Sequence, residues 1–460
     1  MPETRHGGPL LQIYVIVLFL LTGASAEDEQ QPIAQPDFAI YHTKEQILEE
    51  VDNIAKANPH IMKVENVEYG DESSDPPYRA NMKVVTVEPG GHTRDHSRKI
   101  RLLLNYGEHG RELITVEVAL RLLQTLADPS AELEMAERWR EAGMPDLRAT
   151  LHNTVFKIIP MENERGREIV EEGALCERKN GRGVDTNRNW EVHWGFKESD
   201  YDPSEEFPGE KPFSEPEAAA LLALATQFKP HVWMNVHSGM EALFMPYDHL
   251  AAIPKGATAQ ATLEVLEKMN NISCGGRCAT GSGGKSVGYL AHGTATDYMY
   301  DRLKVPLSLT WEIYGDNDAH FNDCFRMFNP TTREKFDEVV ANWANAIFVL
   351  LELLPAHPAI PTARNLGRKV EAGGLLPRGA LEAVKEAKVE RRLGSAMHMS
   401  MHSNMTDSAR LGEHLFGIPQ ARKGLIGGVC VVAILSLGLA VMLKGYVTKK
   451  RTRRRRLQSV

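Results

Sequence analysis

Between Ile40 and Leu354 short apolar runs alternate with amphipathic stretches, and this alternation most narrows what the chain can fold into. Short apolar runs suit strands buried on both faces, and apolar residues spaced three and four apart suit helices that cover such strands. Residues 100–105, 155–159, 231–236 and 305–313 read as strands. Thr43 and Gln46 make a capping box that opens a helix with Ile47, Val51 and Ile54 on one face. Leu113, Val116, Leu120 and Leu123 line a second helix, and Ser214 with Glu217 is expected to cap a third. Residues 331–354 form a long helix presenting Phe336, Val340, Trp343 and Ile347. The implied fold is a single α/β domain over 40–355, its helices covering a mostly buried sheet, with no internal repeat.

The flanking segments set an expected compartment. Arg5 and His6 precede an apolar stretch from Leu10 to Leu21, and Ala24 and Ala26 follow in a small-x-small pattern. Residues 1–26 therefore read as a cleaved secretory signal, with a short lead over 27–39. Residues 424–443 carry no charge, and eleven of them are Leu, Ile or Val. These supply about −3 to −7 kcal/mol towards insertion, which four glycines and Ser436 only partly offset. A basic tail, 444–460, follows directly, so the expectation is a single-pass type I membrane protein with its main domain lumenal or extracellular. The continuation into charge excludes a GPI signal. Residues 356–423 read as a stalk, with a short helix over 381–391. Gly424 and Gly428 are spaced to permit helix dimerisation, but nothing fixes an oligomeric state.

Four cysteines fall in the expected ectodomain and Cys430 in the span. Four allow three pairings. Cys274 with Cys278 closes a short loop cheaply, leaving Cys176 with Cys324. Asn271 and Asn404 head sequons and are glycosylation candidates. The formal charge of −8 argues against nucleic acid as a partner, because phosphate binding needs a basic field.

The chemistry-bearing residues stand at the ends of the apolar runs. His109-Gly110-Arg111-Glu112 follows the strand over 100–105 directly. Alone such a pair is weak, as His42 and Glu45 show: they have the same spacing inside a helix cap. A second histidine, His237, ends another apolar run, and Glu312 lies within a third. An acid on a buried strand is costly unless it has a partner or a task. Two histidines and a glutamate with one open position make a catalytic zinc site of the kind found in carboxypeptidase A, and the remaining glutamate then serves as general base for the metal-bound water.

Taken together, His109-Gly110-Arg111-Glu112, Gly183-Val184-Asp185-Thr186-Asn187-Arg188-Asn189-Trp190, His237-Ser238, Tyr289 and Glu312 resemble the zinc carboxypeptidase family of A/B and N/E types. The likeness spans about Ile40 to Leu354, the Asn187-Arg188-Asn189 block is its most specific part, and the chain resembles a membrane-anchored branch in plants and algae. The resemblance implies a mixed central sheet covered by helices and one zinc ion held by His109, Glu112 and His237. It implies that Glu312 is the general base and that Arg178 polarises the scissile carbonyl. Asn187 and Arg188 would bind the substrate's terminal carboxylate, for which a guanidinium fork is suited. Arg111 matches a subsite residue and Tyr289 the mobile tyrosine that covers substrate. Asp248 matches an acid that pairs with basic side chains in N/E-type members, and Thr296 stands where A- and B-type members place an apolar residue or an acid. The implied partners are peptide or protein C-termini, with a preference for terminal Lys or Arg.

Three departures bear on this reading. The lead over 27–39 is too short for the inhibitory prosegment of digestive members, so activity without proteolytic processing is expected. The stalk does not resemble the β-sandwich of N/E-type members, and Gly239 replaces the tyrosine that A/B-type members carry after His-Ser. Two other readings use the same fold: a non-catalytic membrane receptor, against which Glu312 and both histidines argue, and an amidohydrolase acting on non-protein groups, against which Asn187 and Arg188 argue. His92, His96, His193, His249, His292 and His320 show no partner pattern.

Overall fold

The computed structural model describes residues 32–360 except 72–76, 132 and 135–146. The expected signal, most of the stalk, the helix over 381–391, the membrane span, the basic tail, Cys430 and Asn404 lie outside the described residues. Eight strands form one sheet in the order β1-β2-β4-β3-β5-β8-β6-β7. They are β1 (Met62–Asp71), β2 (Tyr78–Val87), β3 (Ile100–Tyr106), β4 (Thr154–Ile159), β5 (Val232–His237), β6 (Met240–Met245), β7 (Ala279–Ser282) and β8 (Leu307–Tyr314). The four central strands β4, β3, β5 and β8 run parallel, whereas β2 and β6 join them antiparallel. The sheet is mixed, as the family resemblance implied.

Side-chain alternation divides the interior in two. Leu102, Leu104, Phe156, Ile158, Val232, Met234 and Val236 enter the larger core. Leu103, Val155, Ile159 and Trp233, the intervening residues, enter a smaller core on the opposite face. The larger core is closed by α1 (Lys44–Ala57), α2 (Leu113–Ala127), α4 (Ala257–Ser273) and α6 (Arg333–Leu353), and the smaller by α3 (Pro216–Phe228) and α5 (Ala295–Asp301). The capping box of Thr43 and Gln46 is present on α1. Helix α6 is long and apolar enough to cross a bilayer, but its apolar residues, Phe336, Val340, Trp343 and Ile347 among them, are buried in the larger core.

One local expectation is corrected. Ser214 and Glu217 do not cap α3: its N-cap is Glu215, with Pro216 opening the helix. Pro216 has no N–H to satisfy, and its fixed φ suits the first helical position. Glu217 is free to bond elsewhere, accepting from Tyr78 Oη at 2.7 Å and Asn180 Nδ2 at 3.2 Å.

Both disulfides form as expected, Cys274 with Cys278 and Cys176 with Cys324. Asn270 braces the first, its side chain bonding the backbone N–H and C=O of Cys278 at 3.0 Å each. The second closes a loop of 148 residues and lies beside the site: the Cys176 carbonyl accepts from Arg111 Nη1 at 3.1 Å. Replacing Cys176 and Cys324 together by serine is expected to cost about 2–5 kcal/mol. Denaturant unfolding under oxidising conditions measures this, and an unchanged midpoint would contradict it.

Candidate active site

Register brings the expected site residues together. Asn105 on β3 lies beside Asn235 on β5, and His237 at the end of β5 lies beside Glu312 on β8. Alternation turns Asn235, His237 and Glu312 away from the larger core, at the carboxyl ends of the parallel strands. Ligand sites of open α/β sheets gather at that edge. His109 follows β3 in the turn before α2, and Glu112 is the N-cap residue of α2. Gly110 is needed in this turn, because a Cβ there would lie 2.5 Å from the Gly166 carbonyl oxygen.

Three side chains converge. His109 Nδ1 lies 2.7 Å from Glu112 Oε1, His237 Nδ1 lies 3.0 Å from Glu112 Oε2, and the two Nδ1 atoms are 3.1 Å apart. All three residues are buried. Two imidazole nitrogens facing each other across a carboxylate are a donor set suited to a divalent metal, so this group fits zinc. Glu108 approaches from the other side and forms with the same two histidines a second group able to hold a metal ion. Its carboxylate meets the outer nitrogen of His237, with Oε2 3.2 Å from Nε2.

A buried charge cluster supports this group. Asp185 is fully buried and lies 3.3 Å from His109 Nε2, 2.8 Å from Arg178 Nε and 3.7 Å from Arg188 Nη1. Burial alone would raise its carboxyl, but Arg178 and Arg188 outweigh burial and hold it well below the usual carboxylate range. Arg178 also comes within 4.0 Å of Glu112 Oε1. Asn187 Oδ1 accepts from the Ala295 N–H at 3.0 Å, and Arg188 Nη2 donates to Glu206 at 2.8 Å. Tyr289 is half-buried within electrostatic reach of Arg188, Arg178 and Glu312.

Glu312 itself is half-buried, yet its Oε2 is enclosed with no hydrogen-bond partner among the described residues. Burial pushes its carboxyl up to about 8, Glu112 and Asp248 adding to the rise while His237 and Arg178 oppose it. Asp248 is pushed up to about 7, by burial first and then by Asp297. Asp248 lies within electrostatic reach of Arg188 and His237.

Two expected subsite residues are differently engaged. Arg111 is buried, paired with Glu205 at 2.7 Å and seated 4.3 Å over the Phe328 ring. Thr296 is buried with its hydroxyl 2.7 Å from that of Thr310. Gly239 has φ +141°, and a Cβ there would meet the Phe328 ring at 2.8 Å, so the close approach of this ring accounts for the glycine. The decoy is resolved as well: His42 pairs with Glu117 at 2.8 Å, not with Glu45.

The zinc carboxypeptidase sequence pattern (Peptidase_M14) matches residues 47–338. The chain belongs to the zinc carboxypeptidase family. It is 26% identical over 295 residues to carboxypeptidase A2 of Rattus norvegicus, covering 60% of this chain and 63% of that one. This chain thus spans under two thirds of the length of that relative. Among solved structures, thrombin activatable fibrinolysis inhibitor matches with a TM-score of 0.52 at 22% identity, over 73% of this chain and 80% of that chain. Carboxypeptidase A from Helicoverpa armigera matches with a TM-score of 0.52 at 19% identity, over 74% and 81%. These likenesses show the shared fold.

Several residues that surround the group of His109, Glu112 and His237 were not singled out from sequence. Asp185 lies inside the quoted block but was given no role there. Asp297 accepts from the N–H groups of Asp248 and His249 and from His249 Nδ1 at 2.5 Å, anchoring the segment that carries Asp248. Of the histidines with no partner pattern in the sequence, His193 stacks on His249 at 3.8 Å, and His292 bonds Glu198 at 2.9 Å. No local spacing announces residues so far apart in sequence. Replacing Asp185 by alanine leaves two buried guanidiniums without their shared counter-charge and is expected to cost about 3–5 kcal/mol. A denaturant midpoint within error of the parent would contradict this.

Proposed function

We propose that this chain is a metallocarboxypeptidase that hydrolyses the C-terminal peptide bond of peptides or proteins. The observation that carries the reading is the meeting of His109 Nδ1, His237 Nδ1 and Glu112 beside the unpartnered carboxylate of Glu312. His109, Glu112 and His237 would hold one zinc ion. Glu112 is preferred to Glu108 because its two oxygens divide between the two Nδ1 atoms, whereas Glu108 meets His237 at the outer nitrogen. When bound, zinc supplies Lewis acidity at the scissile carbonyl and acidifies the attacking water. Glu312 takes a proton from that water and returns it to the departing amine. Arg178 faces the carbonyl oxygen as negative charge develops there. Asn187 and Arg188 hold the terminal carboxylate, and Tyr289 closes over the bound residue. The enclosure that raises Glu312 makes its carboxylate a stronger base than an exposed one. The two disulfides support a lumenal or extracellular setting.

Glu112→Gln is expected to lose zinc, and Glu312→Gln to keep it while kcat falls by about 10²–10⁴-fold. Metal analysis and peptide hydrolysis on purified protein measure both, and full activity in Glu312→Gln would sink the mechanism.

The substrate reading is a preference for C-terminal Lys or Arg, motivated by Asp248, whose carboxyl lies within electrostatic reach of Arg188 and His237. A charge-assisted hydrogen bond there contributes about 1.5–3 kcal/mol, one to two orders of magnitude in selectivity. In peptides ending in Arg, Phe or Leu, kcat/KM should be highest for Arg, and Asp248→Ala should flatten the ratios. Equal cleavage of Phe and Arg by the parent contradicts the preference.

A further inference from the structure

The outer nitrogens of the two histidines are treated alike. Asp185 stands at His109 Nε2, and Glu108 stands at His237 Nε2. Glu108 is buried, an expensive place for a carboxylate without a task. Its Oε2 accepts from Asn235 Nδ2 at 2.6 Å, and its backbone carbonyl accepts from Asn163 Nδ2 at 3.1 Å. Asn235 Oδ1 in turn accepts from Asn105 Nδ2 at 3.1 Å, and the same amide donates to Glu162 Oε2 at 2.5 Å. A hydrogen-bonded row therefore runs from Glu162 through Asn105 and Asn235 to Glu108 across the ends of β3 and β5. It stops at His237 Nε2, a buried nitrogen with no well-directed hydrogen bond of its own and with Glu108 Oε2 3.2 Å away.

We propose that Glu108 is a positioning residue for His237, drawing the ring proton to Nε2 and so leaving the Nδ1 lone pair directed at the metal. This rests on the zinc reading above. An imidazole binds a metal through one nitrogen only when the other carries the proton, and a carboxylate acceptor fixes which is which while raising the basicity of the ligating atom. The side chain of Asn235 points its amide donor at Glu108, which keeps the carboxylate from turning away from the ring. Neither Glu108 nor Asn235 touches substrate in this account; both act through His237.

The test uses the full chain and zinc itself. Zinc affinity is measured by competition with a chromophoric chelator for the parent, Glu108→Gln, Glu108→Asp and Glu112→Gln, alongside the melting temperature of each metal-free protein. Glu108→Gln is expected to weaken zinc binding about 10–100-fold, with Glu108→Asp recovering part of the loss. Zinc affinity within twofold of the parent in Glu108→Gln overturns the proposal. So does a lowered melting temperature with unchanged affinity, the mark of a merely structural role. Loss of zinc in Glu108→Gln with retention in Glu112→Gln makes Glu108 a ligand and also overturns it. Should Glu108→Gln not fold, ring ¹⁵N shifts of His237 in the zinc-loaded parent decide: a proton on Nε2 supports the proposal and one on Nδ1 ends it. A parent that binds no zinc refutes the metal reading, and this inference falls with it.

Discussion

The register of three parallel strands governs the rest of the site. With β5 between β3 and β8, Asn105 stands beside Asn235 and His237 beside Glu312. A slip of one residue would reverse which side chains face each layer, sending His237 and Glu312 into the larger apolar core. The apolar residues that alternate with them, Met234, Val236, Trp311 and Ile313, are what make such a slip costly. The cleft is thus held in place by greasy residues that never touch it.

Within that frame, charge is balanced locally. Asp185 shares its two oxygens among His109, Arg178 and Arg188, so two guanidiniums can be buried next to one another. Glu206 takes the other end of Arg188. Glu312 and Asp248 form no ion pair among the described residues, and burial pushes them towards their neutral forms. The same site therefore contains two carboxylates held ionised by their neighbours, Asp185 and Glu112, and two that burial pushes towards the neutral form.

The four central strands and four of the longer helices, α1, α2, α3 and α6, were legible in sequence because they are buried on both faces or carry a one-sided apolar stripe. The other four strands were not. β1 is an edge strand rich in charge, with Lys63, Glu65 and Glu68, the composition that protects an edge from pairing and also hides its periodicity. β6 follows only Ser238 and Gly239 after β5, too close for two elements to be separated by pattern alone. The convergence of His109, Glu112, His237 and Glu312 was legible because motif and strand end coincide there. Glu108, Asp185 and Asp297 act through other side chains, and no chemistry of their own marks them in the sequence. The cap expected at Ser214 failed for a local reason, since Pro216 opens α3 without needing a donor's partner.

The strand order carries a consequence for how the chain is made. β5 and β6 are separated by only two residues in sequence, yet β8 lies between them in the sheet. As the polypeptide leaves the ribosome, β5 has β3 on one side and nothing on the other until β8 arrives. His237 and Leu307 are 70 positions apart, and at about 5–20 residues per second that interval lasts several seconds. During it the nascent sheet presents the open edge of an apolar strand, the kind of surface that recruits foreign strands or a chaperone.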